Sequence, residues 1–300
     1  MTVSAQDRIE AVAREPFTTT GRESGWTGAW RSVVDIWGHR ELLDLLVRRE
    51  LKSRYKDSAL GFLWSMIRPL TMLFVYYVAI GKVLNGERSI PGFAIFVFTG
   101  LTAWGLFSEI VAGGTGSIVG NSGLVKKIYL PREVFPLSVV GSALFNFAIQ
   151  LSILIIATLA LRQPPTQYVF TYFPVATLLL LVLGLALALM LGAANVFLRD
   201  MQYLVEVVLM VAMWASPIVY SWQLVDGKLP DGLLKDLYLS NPVTLAILAY
   251  QRSFWAEGAD STYPEDLMTR LLIALGISAV LLVIGQRVFA RAEGNFAQEL

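Results

Sequence analysis

Six long apolar runs constrain this chain more than any other feature. They fall at about 60–84, 93–112, 134–161, 172–197, 203–220 and 267–289. About 20 apolar residues are enough to cross the hydrocarbon core of a bilayer, and each run approaches or exceeds that length. The composition agrees, with 55% hydrophobic and 16% charged residues, whereas soluble domains carry about a quarter charged. The sequence therefore predicts an all-α polytopic membrane protein with six transmembrane helices.

Between the second and third runs lies a short basic insert, Asn121 to Leu137, holding Lys126, Lys127 and Arg132 between two prolines and a glycine. Each charge would cost about 2.5–3.5 kcal/mol at a bilayer centre, so the insert must be a loop at a membrane face. Leu124, Val125, Ile128 and Tyr129 among the lysines suggest a short amphipathic helix that a partner can grip. Its basic balance places it in the cytoplasm. With six spans both termini share a side, and a cytoplasmic assignment puts 16 Lys and Arg inside against 7 outside, leaving Arg68 aside.

The ends and loops divide as follows. Residues 1–24 read as a flexible cytoplasmic tail, with no run resembling the apolar core of a signal peptide. Residues 25–58 form an amphipathic interface region: Trp26, Trp30, Val33 and Trp37, then Leu43, Val47, Leu51 and Tyr55, recur at helical spacing. Arg48, Arg49, Lys52, Arg54 and Lys56 take other positions. Aromatic and leucine side chains would enter the interface while the arginines face water and anionic headgroups. Residues 59–290 are the six-span domain, and 291–300 a short charged cytoplasmic tail. The largest segment between spans, 221–266, contains Asn241-Pro242, an N-cap and first-turn pair, followed by Leu245, Leu248, Tyr250, Arg252 and Phe254. Too short to cross and too apolar for a solvated loop, its pieces read as re-entrant helices dipping in from the outside.

Little in the chain supports catalysis. It has no cysteine and one histidine, His39, which excludes thiolate chemistry and weakens metal and Ser-His readings. It also lacks Gly-x-x-x-x-Gly-Lys-Ser/Thr, so the chain binds no cofactor by a P-loop and any ATP and Mg must be used by another polypeptide. The net charge of +1 gives no case for a nucleic-acid partner, because the charges divide by membrane side. Ionisable groups inside the runs, chiefly Arg68, Glu109 and Glu206, sit towards the inner interface, which disfavours an ion-coupled carrier. Arg68 reads either as a contact for substrate or lipid phosphate or, more plainly, as an arginine reaching to the cytoplasmic interface. Gly184, Ala188 and Gly192 form a small-residue face suited to a helix contact. Tyr76, Tyr77, Trp104, Phe107 and Trp214 lie deep in their runs, and those facing a central pathway could stack on sugar rings.

The joint pattern resembles the transmembrane subunit of type-2 ABC polysaccharide exporters. It consists of Leu60-Gly61-Phe62-Leu63-Trp64-Ser65 with Arg68-Pro69-Leu70, then Gly116-Ser117-Ile118-Val119-Gly120-Asn121-Ser122-Gly123-Leu124-Val125-Lys126-Lys127, and Leu130-Pro131-Arg132-Glu133-Val134-Phe135-Pro136-Leu137. Arg199-Asp200, Ser216-Pro217-Ile218 and Asn241-Pro242 continue it. That family exports O-antigens, teichoic acids and galactans. The resemblance implies a channel built by two copies of the chain in the bacterial inner membrane, with two copies of a separate ATPase docked below. Residues 117–132 would be the coupling segment, gripped at Asn121, Leu124, Val125, Lys126, Lys127, Tyr129 and Arg132. The interface helix, through Arg48, Arg49, Lys52 and Arg54, would be a second contact with the ATPase or membrane lipids. Asn241, Pro242, Tyr250 and Phe254 would belong to an outer gate. Carbohydrate on a lipid pyrophosphate would come in at the inner leaflet, near Arg68.

Overall fold

The structure, a computed structural model, describes Gly38 and residues 40–55, 63–83, 85–127, 130–228, 230, 232–258 and 263–300, the side chains of Arg54, Tyr55 and Arg68 excepted. The described residues form helices and connecting turns, without a strand. Among the described residues, five helices are long and apolar enough to cross a membrane. The expectations for residues 1–37, including Trp26, Trp30 and Trp37, lie outside the described residues, as do those for His39, Ile128 and Tyr129.

Helix α1 (Arg40–Tyr55) precedes the spans. Its apolar side chains Leu42, Leu43 and Leu46 join a cluster at one end of the bundle, and Leu46 is buried. Helix α2 (Trp64–Tyr76) passes into a wider π-helical stretch, Tyr77–Val83, so that 20 residues run continuously. After a single turn, α3 (Gly86–Ser89), comes α4 (Phe93–Gly120). At 28 residues it is about 42 Å long and outruns a hydrocarbon core of about 30 Å. Sequence reading ends this run near residue 112, but the helix continues through Gly113, Gly114 and Gly116. The reason is packing: a Cβ on Gly114 would stand 2.3 Å from that of Ala188, so the glycine admits a neighbouring helix without breaking its own.

After the one-turn helix α5 (Ser122–Val125) comes α6 (Val134–Ala160), which closes at Arg162. That residue takes a left-handed φ of 57°, while the Gln163 N–H donates to the Thr158 carbonyl at 2.8 Å. The bond satisfies a helix-end carbonyl before Pro164-Pro165 turn the chain away. Helix α7 (Tyr172–Phe197) is the central strut, packed along α4 on one side and α12 (Leu267–Ala292) on the other. The small-residue face forms the first contact: Gly184 lies under Ile110, and Gly192 against the Gly114 carbonyl.

The fifth run is helical over only part of its extent, and its helix ends at the Ser216-Pro217 pair. Helix α8 (Met201–Ala215) has 15 residues, about 22 Å, and stops at Ser216, whose extended backbone suits the residue before Pro217. Residues 216–220 are therefore not helical, and α8 falls short of the five long spans. Three helices follow, α9 (Trp222–Lys228), α10 (Leu233–Leu239) and α11 (Pro242–Phe254), none long enough to cross. Asn241 caps α11 by accepting from the Val243 N–H at 3.0 Å, with Pro242 in the first turn. This helix is buried from Val243 to Gln251 and packs on α4, α7 and α12. Beyond α12 a turn, Glu293–Asn295, leads to the one-turn helix α13 (Phe296–Glu299).

The core falls into two main apolar clusters. The larger joins α4, α7, α11 and the first turns of α12. The smaller gathers α1, α5, the start of α6, the ends of α7 and α12, and α13.

Candidate functional site: a polar–aromatic cavity and a basic end

Three of the five aromatics singled out by depth in their runs meet in one place. Tyr76, Trp104 and Trp214 line a cavity of about 940 Å³ between α2, α4, α6 and α8. Tyr76 and Trp214 meet edge to face, with ring centroids 6.3 Å apart. The other two lie elsewhere: Phe107 is buried, with its ring 5.8 Å from that of Trp104. Tyr77 turns to Glu87, donating to its carboxylate at 3.3 Å, beneath the Lys82 ammonium.

The rest of the wall is amphipathic. Met72, Met210 and Met213 supply soft apolar surface, and Ser108, Glu109, Asn146, Gln150 and Glu206 supply polar groups. Asn146 donates to the Glu109 carboxylate at 2.7 Å, and Gln202 to that of Glu206 at 3.3 Å. Gly105 leaves room for the Gln150 amide, whose oxygen would stand 3.2 Å from a Cβ there. Such a wall can stack on the apolar faces of a sugar ring while amides and carboxylates bond its hydroxyls. Glu109, Asn146, Gln150 and Glu206 come from three apolar runs, 93–112, 134–161 and 203–220. Their convergence follows from helix packing, for which the sequence offers only the weak signal that each of these runs carries one or two such polar residues. The Arg68 side chain lies outside the described residues, but its neighbours Ser65 and Pro69 line the cavity.

The basic insert forms the second part of the site. Asn121 ends α4: its side-chain amide donates to the Ser117 carbonyl at 2.7 Å, and its oxygen accepts a hydrogen bond from Arg49 of α1. This bond joins α1 to the start of the insert, beside the apolar cluster that Leu46 and Val125 share. In α5, Val125 is buried and Leu124 packs against the same cluster, leaving Lys126 and Lys127 exposed. Arg132 is half-buried, its guanidinium 5.7 Å from the Phe296 ring centre. On α1, Arg48 pairs with Asp44 at 2.8 Å, and Arg49 and Lys52 are exposed.

At the opposite end of the bundle, Tyr250 and Phe254 of α11 are fully buried inside the chain. The Tyr250 hydroxyl meets that of Thr177 at 2.7 Å. Sequence reading places Arg252 beside them but gives it no role. Its guanidinium lies 4.4 Å from the Tyr168 ring and 4.6 Å from that of Tyr172, and donates to the Tyr172 hydroxyl at 3.0 Å. Hydrogen bonding to Arg252 holds the Tyr168 phenol below its ordinary range. The Tyr168 and Tyr172 spacing of four was the available signal.

Residues 41–255 match the ABC-2 type transporter family. The chain is 33% identical over 270 residues to the O-antigen export system permease protein RfbA of Myxococcus xanthus, covering 90% of this chain and 99% of that protein. It is 25% identical over 260 residues to the protein of the same name from Klebsiella pneumoniae, covering 87% and 95%. It is 24% identical over 240 residues to the polysialic acid transport protein KpsM of Escherichia coli, covering 79% and 91%. With the family matched across most of its length and a relative aligned nearly end to end, the chain belongs to the ABC-2 type transporters.

Proposed function

We propose that this chain is the channel-forming permease subunit of an ATP-driven exporter that moves a lipid-linked polysaccharide, of O-antigen, teichoic acid or galactan type, across the bacterial inner membrane. The observation that carries the reading is the cavity: indole, phenol, amide and carboxylate groups converge between helices that otherwise present apolar surface. Its chemistry suits a carbohydrate better than a purely apolar lipid or drug. The relatives named for O-antigen and polysialic acid transport support the polymer class.

Two copies of the chain would form the channel. The exposed apolar residues of α2 (Phe74, Val75) and α8 (Leu204, Val207, Val208, Val211) flank the cavity and would face lipid or a second copy. In that assembly α8 serves as a short fifth span, completing six. Helix α11, held by its cap and by Arg252, enters from the outer side as a re-entrant helix, and Asn241, Pro242, Tyr250 and Phe254 stabilise the outer gate. Both termini then lie in the cytoplasm. Two copies of an ATPase that binds ATP and Mg would engage the exposed Lys126 and Lys127, with α1 as a second contact. Arg68 would meet the lipid pyrophosphate at the inner leaflet.

The test is co-purification with any ATPase encoded beside the chain, followed by measurement of ATP hydrolysis. Lys126→Glu/Lys127→Glu should weaken assembly or stimulated turnover by about tenfold, equivalent to ~1.4 kcal/mol. Unchanged assembly and turnover would remove ATP coupling through this segment.

A further inference from the structure

The last residues of the chain are packed into the basic end. Phe296 is fully buried, and its ring stands 5.3 Å from that of Phe289 and 6.2 Å from that of Phe197. The Arg132 guanidinium lies over it at 5.7 Å. Phe296 shares one apolar cluster with Val125 of α5, Val134 and Phe135 at the start of α6, and Leu46 of α1, and Leu300 packs against the same cluster. Helix α13 also runs beside α5 and the end of α7. The tail from Glu293 onward therefore folds back from the end of α12 onto the segment that carries Lys126 and Lys127.

This geometry has a mechanical consequence. A loop seated only by its own turn would absorb a push by bending. A loop backed by close-packed rings passes the displacement on, because packed interiors deform little. Phe296 bridges three bodies: the insert through Arg132, α7 through Phe197, and α12 through Phe289. Helix α12 packs along the length of α7, so a shift entering at Arg132 has a contiguous route into the helices behind the cavity.

Resting on the exporter reading above, we propose that the C-terminal segment Glu293–Leu300 is a positioning latch. Phe296 holds the coupling segment against α7 and α12, so that force from the ATPase reaches the spanning helices. The partner of this surface lies within the chain itself, and ATPase binding remains with the exposed lysines.

The test uses the complete permease–ATPase complex in proteoliposomes with lipid-linked polysaccharide. Phe296→Ala should still assemble with the ATPase and hydrolyse ATP, but export per ATP should fall about tenfold, and Phe296→Leu should restore most of it. Because Phe296→Ala could also impair folding, a second variant leaves the Phe296 ring in place: Phe197→Ala removes the partly exposed ring that Phe296 meets on α7, and it should likewise lower export per ATP while assembly and the melting temperature in detergent stay near wild type. Normal export per ATP in either variant overturns the latch. Absence of ATP-driven export in the wild type would instead overturn the exporter reading, which separates the two failures.

Discussion

Gly114 makes the closest approach to another helix among the described glycines: a Cβ there would stand 2.3 Å from that of Ala188 and 3.1 Å from its Cα. Neither neighbour is the end of a flexible chain, so α4 and α7 would have to separate. Gly114→Ala should destabilise the chain by about 1–3 kcal/mol, the usual range for overpacking, and lower its melting temperature in detergent. Gly123→Ala, at an open position, should not. The cavity makes a different prediction. Trp104 and Trp214 reach its wall from α4 and α8, and stacking of a sugar face on each should be lost in Trp104→Ala and Trp214→Ala. Export should fall in both while ATP hydrolysis by the assembled complex persists. Phe107→Ala, which removes a buried ring from the neighbouring core, should instead lower stability by about 3–5 kcal/mol. A thermal melt distinguishes the two effects.

The helices show what apolar patterning can and cannot specify. The starts of α4, α7 and α12 coincide with the predicted starts of their runs, because hydropathy changes abruptly there. The end of α4 was not legible. Gly113, Gly114 and Gly116 look like a break, and only contact with α7 shows that Gly114 serves a close approach within a continuous helix. The end of α8 was half legible: Pro217 signalled a stop, but the apolar residues beyond it argued for continuation, and the backbone followed the proline. Helix α11 depends on local chemistry. Asn241→Ala should cost about 1 kcal/mol by removing the cap bond to the Val243 N–H, whereas Asn241→Asp should keep most of it. The comparison can be read from protease protection of residues 241–254.

Across the whole molecule, the two parts of the candidate site lie apart. The polar–aromatic cavity lies among α2, α4, α6 and α8, while the exposed lysines lie beyond the C-terminal end of α4 and are backed by the smaller apolar cluster. The basic insert was legible because charge between apolar runs is expensive to place in lipid. The cavity was not, because its residues come from four separate helices whose inward faces are set by packing. Asn121 links the two levels of description: its position at the end of a run was readable, and its bond to Arg49 of α1 was not. The most direct test of the account is transport. Proteoliposomes holding the purified chain with its ATPase would be loaded with lipid-linked polysaccharide in one leaflet, and appearance of the polymer on the other side followed with and without ATP. The account predicts ATP-dependent translocation that is lost in Lys126→Glu/Lys127→Glu. Translocation that proceeds equally without ATP, or is unaffected by that charge reversal, would contradict it.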